Sequence, residues 1–319
     1  MSPGKPNLPG LIGLLNPIWH SRVKSDIMIT FIIWVGEADC LNLLYAILLG
    51  ILQGLTEFLP ISSSGHLVIA QEVFNIEEAD LAFDVILHLG TLVAVLIYYW
   101  RDVLSLISEF CVLLGEYIRG KKPKLLDHTR PYRVLMVMII IATIPTAVIG
   151  LVFKDLFSQL FETADFVGYA LIVTGIFLWI ANGIVSGRKD LKSMTAWDAV
   201  TVGLMQGLAI TPGISRSGST IFAGLIRGLN RELVTRFSFL LSIPAILGAV
   251  VLEGKDAFES ASSIHEVMPV MAGFAAAAVS GYLAIHLLIS ALQNKKLIYF
   301  SYYCWALGIL TILYTWFIA

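Results

Sequence analysis

One polar segment occurs twice in this chain, 153 positions apart, and each copy interrupts an apolar run. The first reads Gln53-Gly-Leu-Thr-Glu57-Phe-Leu-Pro60-Ile-Ser62-Ser63-Ser64-Gly65-His66, the second Gln206-Gly-Leu-Ala-Ile-Thr-Pro212-Gly213-Ile-Ser215-Arg216-Ser217-Gly218-Ser219-Thr220. Aligned from Gly50 and Gly203, eight of sixteen positions are identical, too many for two unrelated apolar segments. Where the first copy has Ser63, the second has Arg216, so one offers a nucleophile and the other a cation.

The surroundings decide how such segments are read. The chain has 319 residues, of which 57% are hydrophobic and 14% charged. Soluble domains carry about a quarter charged residues, so a polytopic helical membrane protein is expected. A net charge of -2 gives no sign of nucleic-acid binding. Cys40, Cys111 and Cys304 lack metal-ligand spacing, and the last two read as small hydrophobes in apolar segments. Ionisable groups at membrane depth are costly and point to function.

In chain order, Pro3, Pro6, Pro9 and Pro17 argue against a long helix at the start, and Ile27–Val35 is too short to span. The first polar copy predicts a helix from Leu41 that stops before Pro60, then a second helix with Ser62 as N-cap. Backbone broken in this way at membrane depth needs protein cover or a wet cavity. A re-entrant hairpin fits better than one plain span. Spans are expected at Phe83–Tyr99, Val134–Phe153, Phe166–Val185, Phe237–Leu252, Val267–Leu292 and Leu297–Ala319. Val103–Ile118 differs: Val103, Leu106, Ile107, Phe110, Leu113 and Leu114 form a stripe opposite Glu109 and Glu116, which suits a helix lying in the interface. Trp197–Ile210 and Ile214–Ile226 make the second hairpin.

The loop charges fit this layout. The 101–133, 186–195, 227–236 and 293–296 loops are basic, while 75–82, 154–165 and 253–266 are mainly acidic, and basic loops mark the cytoplasm. Three spans between the hairpins invert the second relative to the first. The expected fold is therefore all-α integral membrane: an inverted-topology repeat with six transmembrane helices plus two re-entrant helical hairpins. Residues 1–40 are an N-terminal extension of unassigned role, and 41–319 form one membrane domain, with repeats of about 41–185 and 196–319. Helices starting at Ser62 and Ser215 would aim their N-termini at an anion such as phosphate.

Gln53 and Glu57 share one helix face and suit either a divalent cation or an interhelical hydrogen bond. Ser62, Ser63 and Ser64 are compatible with simple turn chemistry. Ser63 carries more weight, because His66 follows one turn later and an imidazole can exchange the serine proton. Arg216 suits a phosphate fork or an ion pair with Glu57. His88 and His286, alone on apolar helices, read as structural, and Asp84 and Asp198 have no assigned role.

These segments resemble the undecaprenyl-pyrophosphate phosphatase family of the bacitracin-resistance type. Gln53 and Glu57 match its [E/Q]-x-x-x-E motif, Pro60 to His66 its P-x-S-S-[T/S]-G-H motif, and Pro212 to Thr220 its P-G-x-S-R-S-x-x-T motif. Gln53 stands for the commoner glutamate and Ser64 for a common threonine. The resemblance covers about residues 41–319 and implies removal of the terminal phosphate from a C55 isoprenyl diphosphate, which recycles the lipid carrier for cell-wall glycans. It implies Ser63 as nucleophile candidate, His66 as its acid/base partner, Glu57 as base or metal ligand and Arg216 as the diphosphate clamp. Gln53, Ser62, Ser64, Gly213, Ser215, Ser217 and Thr220 would bind substrate. Mg²⁺ or Ca²⁺ is the implied cofactor, with Glu57 and Gln53 as its ligands. The expected partners are the polyprenyl diphosphate and membrane lipid, with a homodimer allowed for and no nucleic acid. The expected location is the plasma membrane, with the site facing outward. A transporter or polyprenyl-phosphate flippase would use the same architecture, but transport needs no Ser63–His66 pair. The type-2 phosphatidic acid phosphatase superfamily wants a histidine six residues after the S-R arginine. Position 222 is Phe222 and the K-x6-R-P element is missing, which excludes it.

Overall fold

The structure is a computed structural model, and it describes residues 38–74, 81–161, 163–260 and 267–317. The chain divides into Met1–Tyr45 and a large compact unit, Ala46–Ala319. Most of the N-terminal extension 1–40 lies outside the described residues.

Among the described residues there are twelve helices and no strand. The first hairpin is α1 (Ala38–Phe58) and α2 (Ser63–Phe74). Next come α3 (Leu81–Tyr98), α4 (Trp100–Ile118), α5 (Pro131–Val152), the short α6 (Lys154–Phe161) and α7 (Ala164–Gly183). The second hairpin is α8 (Ala196–Leu208) and α9 (Arg216–Ile226), followed by α10 (Arg231–Ser260), α11 (Val267–Gln293) and α12 (Leu297–Phe317). Five of these, namely α5, α7, α10 (through Leu252), α11 and α12, are long and apolar enough to cross a membrane. The sixth expected span is the first arm of a bent pair, Phe83–Tyr98 with Trp100–Ile118, which turns by 85°. The protein is a multi-pass membrane protein.

Two expectations need correction. The 154–165 segment is not all loop, since α6 occupies most of it. Helix α10 begins at Arg231 rather than Phe237 and runs on to Ser260. Asn230 starts it early, because its Oδ1 accepts the Leu233 N–H at 2.7 Å and so satisfies an orphan donor of the first turn. Hydropathy alone does not register such a cap.

The first helices of the two hairpins pack by the same device. Gly50 and Gly54 sit one turn apart on α1, and a Cβ at Gly54 would collide with Ser280 Oγ and the Ala277 carbonyl on α11. Their repeat equivalents, Gly203 and Gly207 on α8, meet the Ala142 backbone and the Ile149 side chain on α5. Small residues four apart let helix backbones approach closely where lipid gives no hydrophobic drive. The first hairpin therefore leans on α11 and the second on α5. Between them, α7 and α12 pack tightly, with Ser301 Oγ donating to the Gly175 carbonyl at 2.7 Å and Trp305 Nε1 to that of Ile172 at 3.2 Å. The largest core cluster joins Phe58, Leu135, Met138, Phe237, Phe239 and Leu240.

Helix α4 is turned so that its acids face the protein. Asp102 pairs with Arg236, Glu109 with Arg133 at 3.3 Å, and Glu116 with Arg133 at 3.0 Å. Leu104, Ile107, Phe110, Leu114 and Ile118 are all exposed, and no residue of the helix is buried. Of the expected stripe, Ile107, Phe110 and Leu114 face outward, whereas Val103 and Leu106 pack against the core.

Candidate active site

Both hairpin turns are built by serine caps with the same connectivity. Ser62 Oγ accepts the Gly65 N–H at 3.3 Å, and Ser215 Oγ accepts the Gly218 N–H at 3.2 Å. Ser64 and Ser217 each reach the capping hydroxyl, at 3.3 and 3.2 Å. These bonds satisfy N–H groups at the helix starts. The backbones differ, however. Ser62 has φ +69°, uncommon for a residue with a side chain, while Ser215 is extended at φ -70°. In the second turn the positive φ falls on Gly213, at +87°.

The two turns touch. Ser217 Oγ donates to the Leu59 carbonyl at 3.4 Å. A Cβ at Gly65 would lie 3.0 Å from Gly213 Cα, which fixes how closely the tips meet. Each tip is also tethered from the central helix pair. On α7, Thr174 Oγ1 donates to the Gly213 carbonyl at 2.9 Å and accepts the Ser215 N–H at 3.0 Å. On α12, Cys304 Sγ approaches the Pro60 carbonyl at 3.7 Å.

The contact brings together residues 159 apart in sequence. Arg216 Nη2 lies 2.8 Å from Glu57 Oε1. The other carboxylate oxygen accepts from Ser63 Oγ at 2.8 Å and from Gln53 Nε2 at 3.2 Å. Glu57 and Gln53 are both buried. A serine hydroxyl donating to a buried carboxylate has a group beside it able to take its proton. The Arg216 guanidinium contacts the carboxylate through Nη2, and a guanidinium fork carries further donors of the kind that match phosphate oxygens.

Ser63 is thus paired with Glu57 and not with His66, the partner expected from spacing. His66 Nδ1 lies 2.7 Å from the Ser62 carbonyl. A carbonyl only accepts, so Nδ1 carries the proton. The other ring nitrogen, Nε2, lies 2.7 Å from Tyr303 Oη on α12. Thr220 is also turned away from the turn surface. It is fully buried, and its hydroxyl meets the Arg216 and Ser217 carbonyls and Ser238 Oγ, at 2.9, 3.2 and 2.5 Å. Its place is behind the first turn of α9, holding the helix that presents Arg216.

Two site residues escape sequence reasoning. His88, read there as structural, lies on α3 with Nε2 3.9 Å from Glu57 Oε2 and Nδ1 on the Asp84 carbonyl at 2.8 Å. The available signal was an ionisable residue in a span. Tyr303 gave no signal, because aromatic residues are ordinary in a final span. Asp198, unassigned from sequence, is fully buried: it caps α8 through Thr195 and pairs with Lys189 at 3.0 Å and Arg227 at 2.8 Å. His286 meets Tyr98 Oη at 3.2 Å, away from these groups.

Among the described residues no three His, Cys, Asp or Glu side chains converge as a metal-binding group. Glu57 and the Gln53 amide are the oxygen donors at hand. That set fits a divalent cation held chiefly by substrate phosphates and water, with one carboxylate from the protein.

Residues 46–310 match the family model described as bacitracin resistance protein BacA. The chain belongs to this family. It is 48% identical over 271 residues to a protein of Alkaliphilus metalliredigens named undecaprenyl-diphosphatase, covering 85% of this chain and 98% of that one. Proteins of the same name from Carboxydothermus hydrogenoformans and Methanobrevibacter smithii are 47% and 43% identical, covering 84% and 85% of this chain and 96% of each relative. The BacA match spans both hairpins, so Glu57, Ser63, His66 and Arg216 all lie within it.

Proposed function

We propose that this protein removes the terminal phosphate of undecaprenyl diphosphate and releases the lipid monophosphate. The observation that carries the reading is the meeting of Arg216 with Glu57 and Ser63 across the two hairpins. The name shared by the curated relatives supports the same substrate. Phosphoryl transfer asks mainly for positioning and charge neutralisation, and these residues supply both.

In this mechanism the diphosphate enters between the helix starts, and Arg216 turns part of its fork from Glu57 to the phosphate oxygens. Glu57 takes the Ser63 proton as Oγ bonds to the terminal phosphorus. The bond from that phosphorus to the bridging oxygen breaks, and its electron pair leaves with the lipid monophosphate, which takes a proton from doubly protonated His66. Water then attacks the phosphorus and gives a proton to His66, the Oγ–P bond breaks, and Oγ takes back its proton from Glu57 as inorganic phosphate leaves. Glu57 and Gln53 would hold a divalent cation, Mg²⁺ or Ca²⁺, which when bound spreads the charge of the diphosphate. A flippase reading has no feature here that prefers it, since transport uses no hydroxyl paired with a base.

The site faces outward in this proposal. The basic 101–133, 186–195 and 227–236 loops mark the cytoplasm. The first hairpin then opens to the other side, as an inverted repeat requires. A cysteine placed at Lys122 should stay unlabelled by an impermeant thiol reagent in intact cells, and labelling there would reverse the orientation. A homodimer belongs to the same proposal. It would use the exposed apolar faces and show as a doubled protein mass in detergent.

Incubation of the purified protein with farnesyl diphosphate, with and without chelator, tests the activity. Release of inorganic phosphate that chelator abolishes is expected. Absence of release with Mg²⁺ and Ca²⁺ both supplied would remove the phosphatase reading.

A further inference from the structure

His66 is held at both ring nitrogens, and the second holder comes from the far end of the chain. Nδ1 is fixed by the Ser62 carbonyl at 2.7 Å and Nε2 by Tyr303 Oη at 2.7 Å, 237 residues away. The two rings lie nearly parallel, 2° apart, with centroids at 5.6 Å. Tyr303 is 44% exposed, so core packing alone does not account for its place. Its neighbour Cys304 is fully buried against the Pro60 carbonyl, and Ser301 is bonded to Gly175, so α12 is clamped just where it presents the phenol. Among the described residues no carboxylate lies within ion-pair distance of His66, since the Glu57 carboxylate faces His88, Arg216 and Ser63 instead.

We propose that Tyr303 is the positioning residue for His66, holding Nε2 in the resting site until the leaving phosphate takes the place of the phenol and exchanges the proton with that nitrogen. A backbone carbonyl keeps Nδ1 protonated, so only Nε2 changes state during turnover. A hydroxyl suits that nitrogen in both states, donating to it when neutral and accepting from it when protonated. A fixed ring plane also limits the loss of rotational freedom as the transition state forms. Tyr303 acts through His66 Nε2 and makes no contact with the phosphate in this step.

The inference rests on the phosphatase reading, and the experiment separates the two. Phosphate release from farnesyl diphosphate is measured for the wild type, Tyr303→Phe, His66→Ala and the double variant across a pH range, with Tyr302→Phe as a neighbouring control. No release by the wild type would remove the activity itself. With an active wild type, Tyr303→Phe should lower kcat about tenfold with KM held, as loss of a histidine's orienting partner does. It should also displace the limb of the pH–rate profile that depends on His66. In the His66→Ala background, Tyr303→Phe should change nothing further. Tyr302→Phe should match the wild type throughout. A Tyr303→Phe enzyme with wild-type kcat and pH profile, or an equal loss with and without His66, would overturn the proposal. Should Tyr303→Phe fold poorly by melting temperature, Tyr303→His, which keeps a ring and a donor, decides the same question by retaining kcat above His66→Ala.

Discussion

At the scale of single residues, Glu57 carries the densest set of obligations. One oxygen answers a guanidinium from the other hairpin, and the second answers Ser63 and Gln53, with His88 Nε2 3.9 Å away. Replacement by glutamine keeps the volume and removes the charge. The Ser63 hydroxyl then loses its base and Arg216 its counter-ion. Glu57→Gln should lower the rate of phosphate release by about 10²–10⁴-fold, the range ascribed to a positioned general base, while the protein stays folded by size-exclusion chromatography. A rate within a factor of a few of the wild type would remove the base role. Glu57 and Arg216 could be singled out because ionisable groups in apolar runs are conspicuous. The direction of their side chains could not, and so Ser63 reads as a partner of His66 from spacing alone. Spacing along a helix reports which residues share a face, and the strained Ser62 turn re-aims both side chains.

At the scale of elements, the turns between half-helices decide the chemistry. Gly213 has φ +87°, and a Cβ there would lie 2.7 Å from both Ala170 Cβ and the Val167 carbonyl. A side chain costs about 1–2 kcal/mol in this left-handed conformation, before the clash with α7 is relieved. Gly213→Ala should therefore lower the melting temperature by a few degrees and raise KM, because the clash displaces the start of α9 and with it Arg216. Unchanged melting temperature and KM would show that the turn tolerates displacement. The broken helices themselves were legible from Pro60, Pro212 and the serines, for which local rules suffice. The early start of α10 and the inward-facing acids of α4 were not. The first rests on the local Asn230 cap, which hydropathy does not register, and the second on partners far away in sequence: Arg236 and Arg133 draw in Asp102, Glu109 and Glu116. Arg231, at the start of α10, shows the same dependence, since its guanidinium donates to carbonyls at the ends of α11 and α7, Leu292 and Ile184.

At the scale of the whole molecule, two halves of one chain each supply an incomplete site. The first supplies the Ser63 hydroxyl and the Glu57 carboxylate, the second the Arg216 guanidinium, and in the proposed mechanism both are needed. The halves hold one another in place crosswise: the glycine faces of α1 and α8 rest on α11 and α5, while Thr174 and Cys304 tether the opposite turns. The pairing of the two motifs was legible in the sequence. The crossing of the halves was not, because nothing local in a helix names its neighbour. The most direct measurement is kcat/KM for farnesyl diphosphate with Arg216→Ala, whose removal leaves the first hairpin chemically intact. A fall of about 10²–10³-fold, as for loss of one preorganised donor to developing charge, is expected in a protein that still elutes as folded. Wild-type kcat/KM in that variant would contradict a site shared between the hairpins.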